Sequence, residues 1–422
     1  MFSWHNKRLL VLGATKLIAE IVNEAKRGGA FVAVADYFED SPAKKLADES
    51  LLTDATDVKT LADYVRKNHI DGVLTGFTDS LLPAYMELCE VTGVPCYLNK
   101  DQLRFATDKA FFKECCREFS IPVIREYSPE DKLNFPLLLK PVDNSGARGI
   151  YICDKESDFA SARANALKFS RSGNILIEDY LTCNEATAFY IFIDGTIYLA
   201  ALADRHITAV KEGVIRLPSG YTYPSVGTDK FLEKTDPQLR KVFQKLNIRN
   251  GIMFLQGFLT SENDFIPYES GFRPTGSLEY KIFESVHGYN SLAMLINFAL
   301  TGQMSDGKTC SRITPVFPEE AYNISCLMKP GRIAAIEGKE KLAALPGVQD
   351  CFYSYEIGDE LTQENWGRLS QIFVRIQITG GRKNYNTVTD FLRKNFKVYD
   401  PTDQDLLITR EICPSAAHNK GR

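Results

Sequence analysis

The sequence has no apolar run long enough to cross a bilayer and no surplus of basic residues. Its net charge of −4 gives no electrostatic ground for nucleic acid as a partner, and the missing apolar run argues against a membrane span. Ten cysteines show no metal-ligand spacing, and two of them, Cys115 and Cys116, are adjacent. Residues 1–8 lack the pattern of an export leader, and the apolar stretch that follows is broken at Gly13. Scattered cysteines without a leader lead us to expect reduced thiols in a cytoplasm. Neither the P-loop nor the three-glycine dinucleotide spacing is present, so Gly13 alone marks no dinucleotide site. No internal repeat or low-complexity tract appears. A chain of 422 residues has room for about two to four domains.

Three stretches carry the chemistry. In residues 135–149 a short apolar run delivers Lys140 and then breaks into a loop with Ser145, Gly146, Arg148 and Gly149. Glycines let backbone N–H groups approach a polyanion, and the two cations add charge, a combination suited to a triphosphate. An ordinary turn after a solvated lysine reads the same loop differently. Residues 174–181 form a buried strand that enters a polar segment, with Glu178, Tyr180, Leu181 and, four residues on, Glu185. Such a strand end can offer backbone groups to an adenine edge and a carboxylate to a ribose; both acids are equally read as solvated. The third stretch is a hairpin. Residues 251–259 and 265–269 flank the turn-rich tetrapeptide Ser261–Asp264. Symmetric closure sets Thr260 opposite Phe265, Phe258 opposite Pro267 and Gln256 opposite Glu269. Opposed Cβ atoms sit about 5 Å apart, so two oxygen-bearing side chains would face one way, as Mg²⁺ held jointly with phosphates requires. A plain Glu269–Arg273 ion pair is the alternative.

Together these residues resemble the ATP-grasp superfamily, in order over residues 1–305 and more weakly beyond. The resemblance implies that Lys109, opening a helix after Thr107–Asp108, and Lys140 contact the nucleotide phosphates under a flap at 143–149. It implies an adenine hinge at Glu178, Tyr180 and Leu181, a ribose carboxylate at Glu185, metal ligands at Gln256 and Glu269, and a phosphoryl-steadying arginine at Arg273. Arg205, with His206 beside it, becomes a candidate for phosphate or substrate-carboxylate contact, since arginine grips a carboxylate with two hydrogen bonds; His206 is equally read as a satisfied surface residue. One departure stands out. The family reads Glu, any residue, Asn, Pro, Arg at its second metal position, and this chain reads Glu269-Ser270-Gly271-Phe272-Arg273. Gly271 removes an oxygen ligand, for which Ser270 or water is the expected substitute.

The expected fold is α/β and α+β. It comprises an open parallel pre-ATP-grasp unit at 1–104, grasp subdomains at 105–186 and 187–304, a C-terminal α+β segment at 305–413 and a loose tail at 414–422. Runs at 7–15, 31–36, 51–54, 72–77 and 95–98 supply the strands of the first unit, and Asp36 and residues 75–79 lie at strand ends where substrates bind. Gly380-Gly-Arg-Lys383 either flanks a substrate or forms a hairpin turn. The implied activity is an ATP- and Mg²⁺-dependent ligase (with Mn²⁺ as an alternative ion) that joins a small carboxylate to an amine through an acyl phosphate. A homodimer is compatible with it. Carboxyphosphate chemistry, as in carbamoyl-phosphate synthases or biotin carboxylases, is the alternative suggested by Gln256. A nucleotide-binding module with little catalysis is the one suggested by Gly271.

Overall fold

Strands β1 (Arg8–Leu12) and β2 (Phe31–Asp36) are buried along nearly their whole length, the signature of a parallel sheet covered on both faces. With β3 (Glu49–Leu52) and β4 (Gly72–Leu74) they form a parallel sheet in the order β3-β2-β1-β4. Helix α1 (Lys16–Arg27) joins β1 to β2, α2 (Val58–Lys67) joins β3 to β4, and α3 (Leu82–Thr92) follows β4. Residues 95–98 do not add a fifth strand. Pro95 has no N–H for a ladder, and the chain instead turns Tyr97 inward, edge-on to Phe272 at 5.2 Å. The computed structural model describes residues 2–128, 131–142, 149–209, 216–305, 307 and 309–412. Ser145, Gly146 and Arg148 of the expected flap, and the 414–422 tail, lie outside the described residues.

After α4 (Lys100–Thr107) and α5 (Lys109–Glu118) comes a small antiparallel sheet of β5 (Leu137–Pro141), β6 (Tyr151–Cys153) and β7 (Ile175–Asp179), ordered β6-β5-β7. Helix α6 (Glu156–Leu167) packs against it. Its core is separate and small: Tyr127, Leu137, Leu139, Cys153, Ala162, Ala166 and Ile177.

The dominant element is an eight-stranded antiparallel sheet. It contains β8 (Asn184–Ile193), β9 (Thr196–Thr208), β10 (Leu217–Tyr223), β11 (Gly251–Leu259), β12 (Phe265–Gly271) and β13 (Ala321–Leu327), together with the strands Val348–Tyr353 and Ile372–Ile378. From one edge it runs β12-β11-β8-β9-β10-β13, then Ile372–Ile378, then Val348–Tyr353, so strands from both sides of residue 305 share it. The C-terminal strands also bury a second core with Val388 and Leu392 of the helix Gly381–Asn395. Gly380 and Gly381, at φ of 81° and 77°, therefore lead into a helix rather than a hairpin. The helix Ser291–Thr301 is buried all round, as expected for one sandwiched between layers. It touches β1, β4 and β11, and a Cβ on Gly72 would lie 2.1 Å from the Ala299 carbonyl oxygen. Among the described residues no helix is long and apolar enough to cross a membrane.

Candidate functional site

At the end of β7 the Glu178 side chain is fully buried and forms ion pairs with Lys113 of α5 and, at 2.7 Å, with Lys140 of β5. Lys113 also reaches Glu126 at 2.9 Å. Burial pushes the Glu178 carboxyl up, yet the charges of Lys140 and Lys113 outweigh it and hold the group below its ordinary range. Glu178 is therefore not a solvated acid, and Lys140, only 5% exposed, is not a solvated lysine. At the expected hinge, Tyr180 and Leu181 are half-buried, and the Tyr180 N–H donates to Pro136 O at 3.2 Å. Gly149, the last residue of the expected flap, has φ of 76°.

Helix α5 places its two lysines differently although they are four residues apart. Asp108 caps the helix by accepting from the N–H groups of Ala110 and Phe111. Lys113 points into the core, whereas Lys109, in the first turn, is half-buried. Burial pulls the Lys109 ammonium down from its ordinary value, against the nearby negative charge of Glu269.

Glu185 and Arg205 sit directly opposite each other on β8 and β9 and form an ion pair. Burial opposes the Arg205 charge, but Glu185, Tyr268 and Tyr221 favour it strongly enough to raise its proton affinity. The Tyr268 hydroxyl lies 3.0 Å from Glu185 Oε2 and 3.3 Å from Gln256 Oε1. Next along β9, His206 Nε2 pairs with Thr222 Oγ1 at 2.9 Å, which matches the satisfied reading of that histidine.

Gln256 faces Glu269 across the β11–β12 hairpin, but the rungs nearer the turn differ from symmetric closure. Leu259 faces Phe265, Phe258 faces Ile266 and Gly257 faces Pro267. The loop is five residues long: the Thr260 N–H donates to Asp264 O at 3.0 Å, and Thr260 Oγ1 accepts from the Asp264 N–H at 3.0 Å. The register then shifts between Gln256 and Gly257, where Tyr268 is the extra residue of a β-bulge. Without that bulge Glu269 would oppose Leu255 and point to the other face.

Gly271 faces Phe254, and a Cβ there would meet the Phe254 ring at 2.3 Å. The ring thus fills the space a side-chain oxygen ligand would need. Ser270 does not substitute: it is buried, and its Oγ donates to Phe105 O at 2.9 Å. Glu269 is half-buried, and its carboxylate forms no hydrogen bond or ion pair among the described residues. The two opposed oxygen-bearing side chains fit a hard cation that takes its remaining ligands from phosphates and water.

Arg273 does not pair with Glu269. Its Nε and Nη2 grip both oxygens of Asp79 at 2.6 and 2.7 Å, and the guanidinium carbon stands 5.1 Å from the centre of the Phe254 ring. The parallel unit and the grasp hairpin are thereby joined at this arginine.

No family model matches the chain. Of solved structures, an L-amino acid ligase from Bacillus licheniformis superposes with TM-score 0.74 at 18% identity, over 93% of this chain and 98% of that one. A phosphoribosylglycinamide synthetase from Anaerococcus prevotii gives 0.74 at 17% identity, over 93% and 99%. The chain has the ATP-grasp fold. In sequence, a formate-dependent phosphoribosylglycinamide formyltransferase from Prochlorococcus marinus (strain MIT 9515) is 29% identical over 191 residues, 43% of this chain and 49% of the relative. The chain thus spans about half the length of the curated relatives it matches.

The residues above lie on or beside the small sheet and the large sheet. Sequence reasoning did not single out Lys113, Tyr268 or the pairing of Asp79. Lys109 and Lys113 are four residues apart and share one helix face, yet nothing local says which enters the core. Asp79 lay within the strand-end segment 75–79, but its partner is 194 residues away.

Proposed function

We propose that this chain is an ATP- and Mg²⁺-dependent ligase that joins a small carboxylate to an amine through an acyl phosphate. The observation that carries the reading is the pair Gln256 and Glu269 on one face of the hairpin, beside Lys109 and Arg273. Gln256 and Glu269 would hold the Mg²⁺, which supplies charge neutralisation at the phosphates when bound. Lys109 and Lys140 carry the positive charge that orients the triphosphate. Backbone near Tyr180 and Leu181 would meet the base, and Glu185, held by Arg205 and Tyr268, would meet the ribose. Arg273, held by Asp79, would steady the transferred phosphoryl group.

In this mechanism a carboxylate oxygen bonds to the γ-phosphorus as the bond to the β,γ-bridging oxygen breaks, which releases ADP. The amine then attacks the acyl carbon, loses a proton and expels phosphate. Positioning and charge neutralisation supply most of the catalysis. Release of ADP and phosphate over a panel of carboxylates and amines tests this. Amine-dependent turnover that collapses in Glu269→Gln is expected; no amine-dependent release with any pair refutes the reading.

The Phe254 ring opposite Gly271 favours a second reading, nucleotide binding with little catalysis. Tight ATP binding that needs no Mg²⁺ and yields no ADP would support it.

A further inference from the structure

Arg375 lies in the middle of the strand Ile372–Ile378, opposite Ser325 on one side and Phe352 on the other. It is 8% exposed. Two half-buried arginines nearby each own a carboxylate: Arg205 has Glu185 and Arg273 has Asp79. Arg375 has no acidic partner among the described residues. The hydrogen bond its guanidinium makes there is a long one, from Nη1 to Ser354 Oγ at 3.4 Å.

The surroundings say where this charge sits. Two residues along the strand, and so on the same face, Gln377 Nε2 donates to Ser277 O at 2.8 Å, and Asn323 Nδ2 donates to the same oxygen at 2.8 Å. These bonds clamp the loop that follows Arg273 onto the sheet. A Cβ on Gly276 in that loop would lie 3.7 Å from Arg375 Nη2 and 3.4 Å from Leu17 in the first turn of α1. The guanidinium therefore occupies the junction of the large sheet, the loop after Arg273 and the start of α1. Tyr221 sits near enough to both Arg205 and Arg375 to favour their charged forms. That is too little for Arg375, whose proton affinity burial pushes down to about 10. A buried cation set only against a distant hydroxyl and, at 5.9 Å, the centre of the Phe352 ring is costly to maintain unless something else pairs with it, and such groups concentrate at functional sites.

We propose that Arg375 binds an oxyanion of a substrate, a carboxylate or a phosphate group, at the junction beside the loop that carries Arg273. A planar guanidinium suits either, since both accept two parallel N–H bonds. The proposal rests on the ligase reading only in making this oxyanion part of a substrate.

The test uses the full chain without nucleotide or Mg²⁺, titrated calorimetrically with inorganic phosphate and, separately, with acetate. The wild type is expected to bind at least one of them, and Arg375→Gln to bind it at least about tenfold more weakly, as loss of a charged hydrogen-bond pair predicts. Binding of acetate alone identifies a carboxylate, binding of phosphate alone a phosphorylated substrate, and binding of both a general oxyanion subsite. No binding by the wild type, or equal binding by Arg375→Gln, overturns the proposal. Should Arg375→Gln not fold, Arg375→Lys decides: it keeps the charge and loses the fork, so binding at least about threefold weaker supports the proposal, and unchanged affinity overturns it. A parallel titration with Mg²⁺ and a non-hydrolysable ATP analogue separates the two claims, because its failure sinks the ligase reading and leaves the oxyanion subsite standing.

Discussion

Gly271 lies across the ladder from Phe254, and the ring stands where any side chain at 271 would begin. Gly271→Asn would restore the oxygen that the family pattern carries and would also force the ring aside. Overpacking of that kind costs about 1–3 kcal/mol, so urea unfolding should report the variant as less stable than wild type by that amount. In a Phe254→Ala background the same change should cost almost nothing, and a double-mutant cycle would read the difference as coupling. Glu178 offers a second prediction at this scale. Its carboxylate is the shared partner of two lysines, one of them with no exposed surface. Glu178→Gln would leave those cations facing a neutral amide, and losing one partner of a buried ionic network costs about 3–5 kcal/mol. Because the folded carboxyl is held below its ordinary value, its stabilisation is complete above about pH 4.3 and is lost as pH falls through the lower folded value. Thermal melting should therefore separate wild type from Glu178→Gln at neutral pH, with the two curves converging on acidification below about pH 4.

The β11–β12 hairpin shows what a single extra residue does to an element. Its five-residue loop sets a register that would send Glu269 to the face opposite Gln256, and the bulge at Tyr268 brings it back. The bulged residue also projects its hydroxyl towards Glu185 and Gln256. Tyr268→Phe keeps the bulge and removes that hydroxyl. It should lower stability by about 1–3 kcal/mol, the usual cost of a hydrogen bond lost from a charged group, measured by urea unfolding. The opposition of Gln256 and Glu269 was legible in the sequence because the turn residues and the alternating apolar positions bound the hairpin on both sides. The bulge was not, since a longer loop and a bulge cancel at that rung and leave the same pair facing. Strands β1, β2 and β5 were legible for a similar reason: each is a short apolar run ended by a breaker. Ion pairs such as Arg273–Asp79 and Lys113–Glu178 join residues 194 and 65 positions apart. No local periodicity encodes which acid meets which base over such distances, and Arg375 within the strand 372–378 gave no sign that its charge would be left without an acid among the described residues.

At the scale of the molecule, burial is unevenly shared between the small sheet and the large sheet. The large sheet lies within one continuous core that also takes in the parallel unit and the Ser291–Thr301 helix, and its C-terminal strands add a second. The small sheet has its own modest cluster, built largely around Tyr127, Leu137, Leu139 and Ile177. What ties it to the rest at its centre is ionic, the Lys113–Glu178–Lys140 group, with Lys113 supplied from α5. Units with few buried apolar contacts open at lower free energy than the body they attach to. Native-state hydrogen exchange should accordingly find β5 and β7 exchanging faster than β8, β9 and β11. A nucleotide that binds between the two sheets, as proposed, would stabilise their association in proportion to its occupancy. Saturation with Mg²⁺ and a non-hydrolysable ATP analogue should then slow exchange in β5 and β7 by at least about tenfold while leaving the centre of the large sheet nearly unchanged. Equal slowing throughout would mean that the small sheet opens only with the whole molecule, and that its separate core confers no independent motion.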